Sequence, residues 1–178
     1  MSRIATPAVE TATGATAELF ANIKKAVGGV PNTYAALGAL VPDALKAFLA
    51  VDGLLAAGTL GKKDIETIRI VVSQGTGCDY CLAAHTMLGK MAGLPVDTLR
   101  ALRNGQTTGD AKRDALADFV RILVNTTGTL SQAQFDAVKA AGYSDVQLAE
   151  VSMAVAGIIF TNLFNRINDT DIDFPAVV

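Results

Sequence analysis

The chain has 178 residues, which is enough for one domain with a sizeable core, and its formal net charge is −2. It lacks the basic patch that a nucleic-acid-binding protein needs, so that class of function is set aside. Hydrophobic residues make up 51% of the sequence, but the longest apolar run, near 151–160, is too short to span a bilayer. Residues 1–15 lack the apolar core of a secretory signal, so we expect a soluble cytoplasmic protein without a membrane partner.

Helical periodicity runs through most of the chain, and glycine, proline and capping motifs divide it. Two helix starts are well marked, because Ser131 with Gln134 and Ser144 with Gln147 each have the spacing of a capping box. The predicted helices cover 16–27, 32–40, 42 to about 58, 62–74, 78–92, 95–104, 110–126, a segment after 131, and 145–168.

One of these segments, Lys62–Gln74, is open to two interpretations. Ile65, Ile68 and Val72 have helical spacing, but the segment is rich in β-branched residues, and periodicity alone also permits a buried strand. Helices on both sides and the lack of other strand candidates favour a helix. A turn is then expected at 75–77, where two glycines flank Thr76.

The chain has no linker long or polar enough to separate two domains, so 1–178 is expected to form one domain. Residues 1–15 are predicted to be an N-terminal arm, and 169–178 a C-terminal tail that could pack on a neighbouring subunit. Lys62–Gly93 and Tyr143–Asp169 each begin with an Asp-led helical segment and continue into apolar helix. This faint echo is compatible with an internal duplication or with mere helical similarity.

The most informative stretch is 77–85, which contains both cysteines and the only histidine of the chain. On a helix with about 100° per residue, Cys78, Cys81 and His85 share one narrow face. Three features could lower a thiol pKa here: the helix N-terminus, the neighbouring thiol, and His85 one turn beyond Cys81 as a proton acceptor. Tyr80, between the cysteines, can offer a hydroxyl to the site or shield it.

His85 needs an orienting partner to act as a base, and Glu66 on the preceding helix is the best candidate. A turn at 75–77 would bring that helix alongside, and Ser73 lies two turns on from Glu66 on the same face. The hypothesis is a Glu66–His85–Cys81 proton relay with Cys78 as the partner thiol. Arg69, one turn from Glu66, could instead make it an ordinary surface ion pair.

Other interpretations of these residues stay open. Cys78 and Cys81 could be small buried core residues, or form a structural disulfide that closes too short a loop to stabilise much. Together with His85 and Glu66 they could bind zinc, although one helix face rarely surrounds a tetrahedral ion. Redox catalysis by the dithiol, with no metal and no cofactor, is favoured over these.

The run from Glu66 through Cys78, Tyr80 and Cys81 to His85 resembles the core motif of the AhpD-like alkylhydroperoxidase family, within the carboxymuconolactone decarboxylase-like superfamily. The lead-in from Ser73 and the stretch 164–168 also fit. The resemblance implies an all-α AhpD-like bundle of about eight helices that assembles as a trimer or hexamer. Decarboxylases of the superfamily generally lack the cysteine pair, which argues against lactone decarboxylation.

Carried onto this sequence, the resemblance implies a thiol-dependent peroxidase that acts on alkyl or organic hydroperoxides. Cys81 would be the peroxidatic residue and Cys78 the proton donor and resolving thiol, joined to Cys81 as a disulfide in the oxidised form. Glu66 and His85 would form the relay, with Tyr80 and Ser73 in supporting positions. Some relatives have histidine where Tyr80 stands, which leaves the proton path in question.

The oxidised pair would need an external dithiol, such as a lipoyl-bearing or thioredoxin-like protein. Two further functions are compatible with the same residues. The chain could be a disulfide oxidoreductase that passes electrons to a partner peroxidase, or a non-catalytic redox sensor.

Overall fold

The computed structural model describes residues 2–176, which contain no strand, nine α-helices and the 3₁₀ helix Val9–Thr11. The expected all-α class is therefore confirmed, with nine helices rather than about eight. The α-helices are α1 (Gly14–Val27), α2 (Asn32–Leu40), α3 (Pro42–Ala57), α4 (Lys62–Thr76), α5 (Asp79–Met91), α6 (Val96–Asn104), α7 (Ala111–Asn125), α8 (Gln132–Ala140) and α9 (Asp145–Asn168).

Helix α4 is the centre of the bundle and packs against α5, α6, α7 and α9. Ile68, Ile70 and Val72 on this helix are fully buried. A helix that is surrounded by others can be apolar on nearly all sides, which explains the run of β-branched residues. The helical interpretation of 62–74 is thus confirmed.

The connection between α4 and α5 sets the position of the cysteines. Helix α4 continues through Thr76, so the expected three-residue turn is confined to Gly77, whose φ of 68° lies in the left-handed region that favours glycine. The amide of Cys78 then donates to the Ser73 carbonyl at 3.0 Å. This reversal lays α5 alongside α4.

Helix α9 starts with the predicted capping box of Ser144 and Gln147, and α8 starts with the other one. It packs against α2, α3, α4 and α5, and buries Asn162, Asn165 and Asn168. By length and composition α9 could cross a membrane. Its contacts with α2, α3, α4 and α5 and its buried amides show that one face of α9 is packed inside the bundle.

The chain ends lie together beside this bundle. The Arg3 amide donates to the Asn168 carbonyl at 2.7 Å, and the Ser2 amide to Asp171 Oδ2 at 3.0 Å. Further on, the Asn32 amide donates to Asp173 Oδ2 at 2.9 Å, so the tail lies on its own chain. Residues 177–178, which belong to the predicted tail, lie outside the described residues.

The two segments with similar sequence patterns differ in structure. Lys62–Gly93 forms two helices joined at Gly77, whereas Tyr143–Asp169 is one unbroken helix with its caps. The faint similarity between the two sequence segments is therefore not accompanied by a repeated pair of helices.

Candidate active site

Cys78, where the sequence predicted the helix to start, is the N-cap residue of α5, which begins one position later at Asp79. Its Sγ accepts a hydrogen bond from the Cys81 amide at 3.3 Å. The first amides of a helix have no acceptor within the helix, so a sulfur at this position can accept a hydrogen bond from one of them. This interaction stabilises the thiolate form.

The two cysteines are reduced, and their residues are only 2% and 3% exposed. The hydrogen bond from the Cys81 thiol lowers the pKa of Cys78, burial opposes this, and the Cys81 amide adds to it. The same thiol bond raises the pKa of Cys81, and burial raises it further. These opposite shifts favour ionisation of Cys78 before Cys81, with the remaining proton of the reduced pair on Cys81.

This distribution can be measured by thiolate absorbance as a function of pH. We expect one thiol to ionise below the usual value of about 8.5 and the other to stay protonated well above it. Cys81→Ala should raise the pKa of Cys78 because its thiol donor is lost, and Cys81→Ser should raise it less because a hydroxyl can still donate. Two thiols that titrate together at the ordinary value would contradict this order of ionisation.

Glu66 and His85 are brought together as the sequence suggested: His85 Nδ1 lies 2.8 Å from Glu66 Oε2. An ionised carboxylate only accepts hydrogen bonds, so we assign the hydrogen to Nδ1, which leaves Nε2 to exchange protons. Burial would raise the pKa of Glu66, but the charge and hydrogen bond of His85, followed by those of Arg69, hold it below its usual value.

Arg69 is part of this network and not an ordinary surface pair. Its side chain is 13% exposed, and it binds Glu66 Oε1 at 3.1 Å and also the Asp52 carboxylate. Burial raises the pKa of Asp52, and the Arg69 charge opposes this shift. The guanidinium thus joins the buried Glu66 carboxylate to the partly buried carboxylate of Asp52.

Within residues 2–176, no hydrogen bond joins His85 to either cysteine. The proton acceptor bonded to Cys81 is Cys78, while Asn165 Nδ2 donates to Cys81 Sγ at 3.2 Å. Cys81 and His85 nevertheless line the same cavity. Direct transfer of the Cys81 proton to His85 therefore stays a prediction, and the hydrogen bond between the two thiols offers a second route within the cysteine pair.

Tyr80 is turned toward the tail. Its hydroxyl donates to Asp173 Oδ1 at 2.7 Å and accepts from the Thr33 amide at 3.3 Å, and its ring packs edge-on against Phe174 at a centroid distance of 5.4 Å. Burial raises the pKa of Tyr80, so the hydroxyl keeps its proton. Tyr80 thus shields the site and fixes the tail over it.

Ser73 lies away from the Glu66–His85 pair. It is fully buried, and its hydroxyl donates to Asn162 Oδ1 at 3.3 Å. Together with its carbonyl bond to the Cys78 amide, this contact ties the cysteine loop to α9. Its structural position is that of a support for the loop.

Cys81 and His85 lie at the polar end of a cavity of about 690 Å³. Much of the remaining wall is apolar, and includes Val30, Phe48, Met87, Leu88, Ile158 and Phe174. Cys78 instead lines a separate cleft of about 280 Å³ with Asp79, Arg166, Asp169 and Asp171. Tyr80 and Asn165 line both spaces.

Known proteins share both this fold and part of the sequence pattern. Residues 42–119, which include Glu66 through His85, match the model of the Carboxymuconolactone decarboxylase family. An alkylhydroperoxidase AhpD core structure, of a peroxidase-related protein from Ralstonia eutropha JMP134, superposes with a TM-score of 0.86 at 19% identity, over 97% of this chain and 92% of that chain. The chain therefore has the AhpD-like fold, and its residues 42–119 resemble the Carboxymuconolactone decarboxylase family.

Two further structures have the same AhpD-like fold. A peroxidase-related protein from Silicibacter sp. TM1040 has a TM-score of 0.82 at 22% identity, over 96% of this chain and 91% of that chain. A cysteine-to-alanine variant of the debrominase Bmp8, in complex with 2,3,4-tribromopyrrole, has a TM-score of 0.80 at 20% identity, over 97% of this chain and 94% of that chain. No curated protein sequence matches the chain.

Several residues of the AhpD-like site were not assigned a role from the sequence. Asn165 lies in the 164–168 stretch that resembles the family, but nothing in the sequence indicates its bond to Cys81. Asp52 and Asp173 look like solvated carboxylates, and their partners are 17 and 93 positions away.

Among the described residues, no group of three or more His, Cys, Asp and Glu could hold a metal ion.

Proposed function

We propose that this AhpD-like chain is a cytoplasmic, cofactor-free thiol peroxidase that reduces organic hydroperoxides through a Cys78–Cys81 dithiol/disulfide cycle. The observation that carries the proposal is the buried cysteine pair, in which Cys78 Sγ accepts from the Cys81 amide and Cys81 lines an apolar cavity together with His85. An apolar wall favours a substrate with an organic group over hydrogen peroxide.

In the first step, Cys78 takes the proton of Cys81, and the Cys81 thiolate attacks the distal oxygen of the hydroperoxide. The O–O bond breaks, Cys81 becomes a sulfenic acid, and the alkoxide takes a proton from His85 or Cys78 to leave as an alcohol. Glu66 keeps the His85 ring oriented, and Asn165 donates to the reacting sulfur.

In the second step, the Cys78 thiolate attacks the sulfur of the Cys81 sulfenic acid. The S–O bond breaks, and the departing hydroxide is protonated to water as the disulfide forms. Overall, one hydroperoxide and one external proton are consumed for one alcohol, one water and one disulfide. An external dithiol, such as a lipoyl-bearing or thioredoxin-like protein, then restores the pair.

The direct test is a thiol titration and mass measurement before and after one equivalent of cumene hydroperoxide, followed by turnover with a dithiol donor. We expect both thiols to be lost without added oxygen, and catalytic consumption of peroxide with the donor. Dithiol exchange without peroxide consumption would instead support a disulfide oxidoreductase, and neither activity would support a redox sensor.

Reductive debromination is a second candidate, because the debrominase Bmp8 shares the fold and the apolar cavity here could hold a halogenated ring. One dithiol would convert an aryl bromide to the arene and bromide, with the Cys81 hydrogen replacing bromine and the pair oxidised to the disulfide. Bromide release from a brominated pyrrole by the reduced protein, without peroxide, would select this function.

We also propose a homo-oligomer, a trimer or hexamer, that contacts through one face of α9. An exposed apolar stripe runs along this helix, with Phe160 at 37%, Leu163 at 50% and Ile167 at 64% exposure. Such a stripe is more typical of an interface than of a solvated surface.

Leu163→Glu should therefore dissociate the oligomer, since it places a charge in the middle of this stripe. The measurement is molar mass by size-exclusion chromatography with light scattering. Phe135→Glu on α8, where the residue is 39% exposed outside the stripe, is the matched control and should leave the mass unchanged. An unchanged mass for Leu163→Glu would argue against this interface.

A further inference from the structure

The two sulfurs of the redox pair face different spaces. Of the two cysteines, Cys81 lines the apolar cavity and Cys78 lines the polar cleft, and the wall between these spaces is formed by Tyr80 and Asn165. Tyr80 is fixed at its hydroxyl by Asp173, and the Asn165 side chain by Thr33 and Cys81. With the bond from the Thr33 amide to the Tyr80 hydroxyl, four hydrogen bonds keep the wall in place.

We propose that the two half-reactions use these two entrances. The oxidising substrate reaches Cys81 through the apolar cavity, and the dithiol that restores the pair reaches Cys78 through the polar cleft. This proposal rests on the proposed dithiol cycle and adds to it the sulfur that the reductant attacks and the side from which it arrives.

The cleft also limits what the reductant can be. Its volume of about 280 Å³ is that of a small-molecule site, and Cys78 at its base is only 2% exposed. A slender dithiol can enter such a cleft more easily than a thiol held on the surface of a folded protein, so of the two donor classes proposed above the cleft favours the lipoyl-bearing one over the thioredoxin-like one. The lining carries the carboxylates of Asp79, Asp169 and Asp171 and the guanidinium of Arg166, and Arg3 pairs with Asp169 at 3.7 Å, so the walls of the cleft are polar and charged.

The chemistry follows from this entrance. A reductant thiolate attacks Cys78 Sγ, the bond to Cys81 breaks, and Cys81 leaves with its sulfur held by the Asn165 amide. The second reductant thiolate then attacks its own sulfur in the mixed disulfide. Cys78 departs as a thiolate stabilised by the Cys81 amide, the dithiol becomes a disulfide, and of its two protons one stays on Cys81 and one goes to solvent.

A pair of bulky substitutions tests the two entrances separately. Ile172, 49% exposed, lines the cleft and not the apolar cavity, and Met87 lines the cavity and not the cleft. The oxidative half-reaction is followed by stopped flow with reduced protein and cumene hydroperoxide. The reductive half-reaction is followed with diamide-oxidised protein and dithiothreitol, so it can be measured even if the protein reduces no peroxide.

Ile172→Trp should slow reduction by about tenfold or more and leave oxidation nearly unchanged, because misplacing one reactant by about 1 Å can cost 10²-fold. Met87→Trp should do the opposite. Equal slowing of both half-reactions by one variant, or slower reduction in Met87→Trp, would overturn the proposal. Reduction by a thioredoxin-like protein that exceeds dithiothreitol and is insensitive to Ile172→Trp would also overturn it.

A measurement on the unmodified chain gives a second test that does not depend on how the variants fold. The oxidised protein is treated with cysteamine, a cationic monothiol that cannot close a ring, then quenched with acid and mapped by tandem mass spectrometry. The mixed disulfide should lie on Cys78 with Cys81 free. A mixed disulfide on Cys81 would overturn the proposal.

Discussion

Cys81→Ser is expected to reduce peroxide consumption to the uncatalysed rate. The hydroxyl that replaces the thiol is a much weaker nucleophile at neutral pH, and it occupies the position that faces the apolar cavity. The Asn165 amide that donates to this sulfur would donate to the serine oxygen instead, so the fold should be retained. Steady-state turnover with cumene hydroperoxide and a dithiol measures the loss, and circular dichroism checks the fold.

The matched variant is Cys78→Ser, which keeps Cys81 and removes its partner. It should consume about one equivalent of peroxide slowly, stop without turnover, and hold a sulfenic acid on Cys81 that dimedone traps. The reverse result, a single oxidation in Cys81→Ser and none in Cys78→Ser, would assign the attack to Cys78. The comparison is decisive because the lowered pKa favours a thiolate on Cys78, while Cys81 faces the cavity.

Glu66→Gln should lower the rate of oxidation by roughly 10²–10⁴-fold, the range expected for loss of a general acid–base group. The amide removes the charge that holds Nδ1 of His85 at 2.8 Å, while its shape still fills the site. Because His85 would lose its fixed tautomer, both the maximal oxidation rate and the shape of its pH profile should change. Glu18→Gln, on the exposed face of α1, is the control and should have no effect.

The same substitution has a consequence for stability. Glu66 has a lowered pKa in the folded protein, so in acid the unfolded chain binds more protons. Its contribution is present above the unfolded value of about 4.3 and is lost as the pH falls through the folded value. Urea unfolding at pH 7 and in acid should show a smaller loss for Glu66→Gln than for the wild type. An equal loss, with an unchanged oxidation rate, would show that Glu66 is structurally and catalytically silent.

The parts of the fold that follow from local pattern were predictable. The capping boxes at Ser131 and Ser144 and the helical spacing around Ile68 depend on residues within one or two turns, and these features are present in the structure. The pairing of Glu66 with His85 was also predictable, because a chain reversal at a single glycine, Gly77, brings α4 and α5 together.

The remainder of the site depends on distant contacts. The bond from Asn165 to Cys81 joins positions 84 apart, and Asp173 meets Tyr80 through a tail with no helical pattern. The order in which the two thiols ionise could not be inferred either. His85 is one turn from Cys81, which suggested a direct transfer, but the N-cap geometry of Cys78 turns its sulfur toward Cys81 first.

The lowered pKa of Cys78 also bears on the reduction potential of the pair. The reduced form is stabilised because the Cys78 thiolate accepts from both the thiol and the amide of Cys81. A disulfide keeps neither the charge nor the thiol donor, so this stabilisation is lost on oxidation. A dithiol that is stabilised in its reduced form has a higher reduction potential, which makes its disulfide the stronger oxidant. The Cys78–Cys81 disulfide should therefore be an acceptor that common cellular dithiols reduce readily, and its resting form in a reducing compartment is the dithiol.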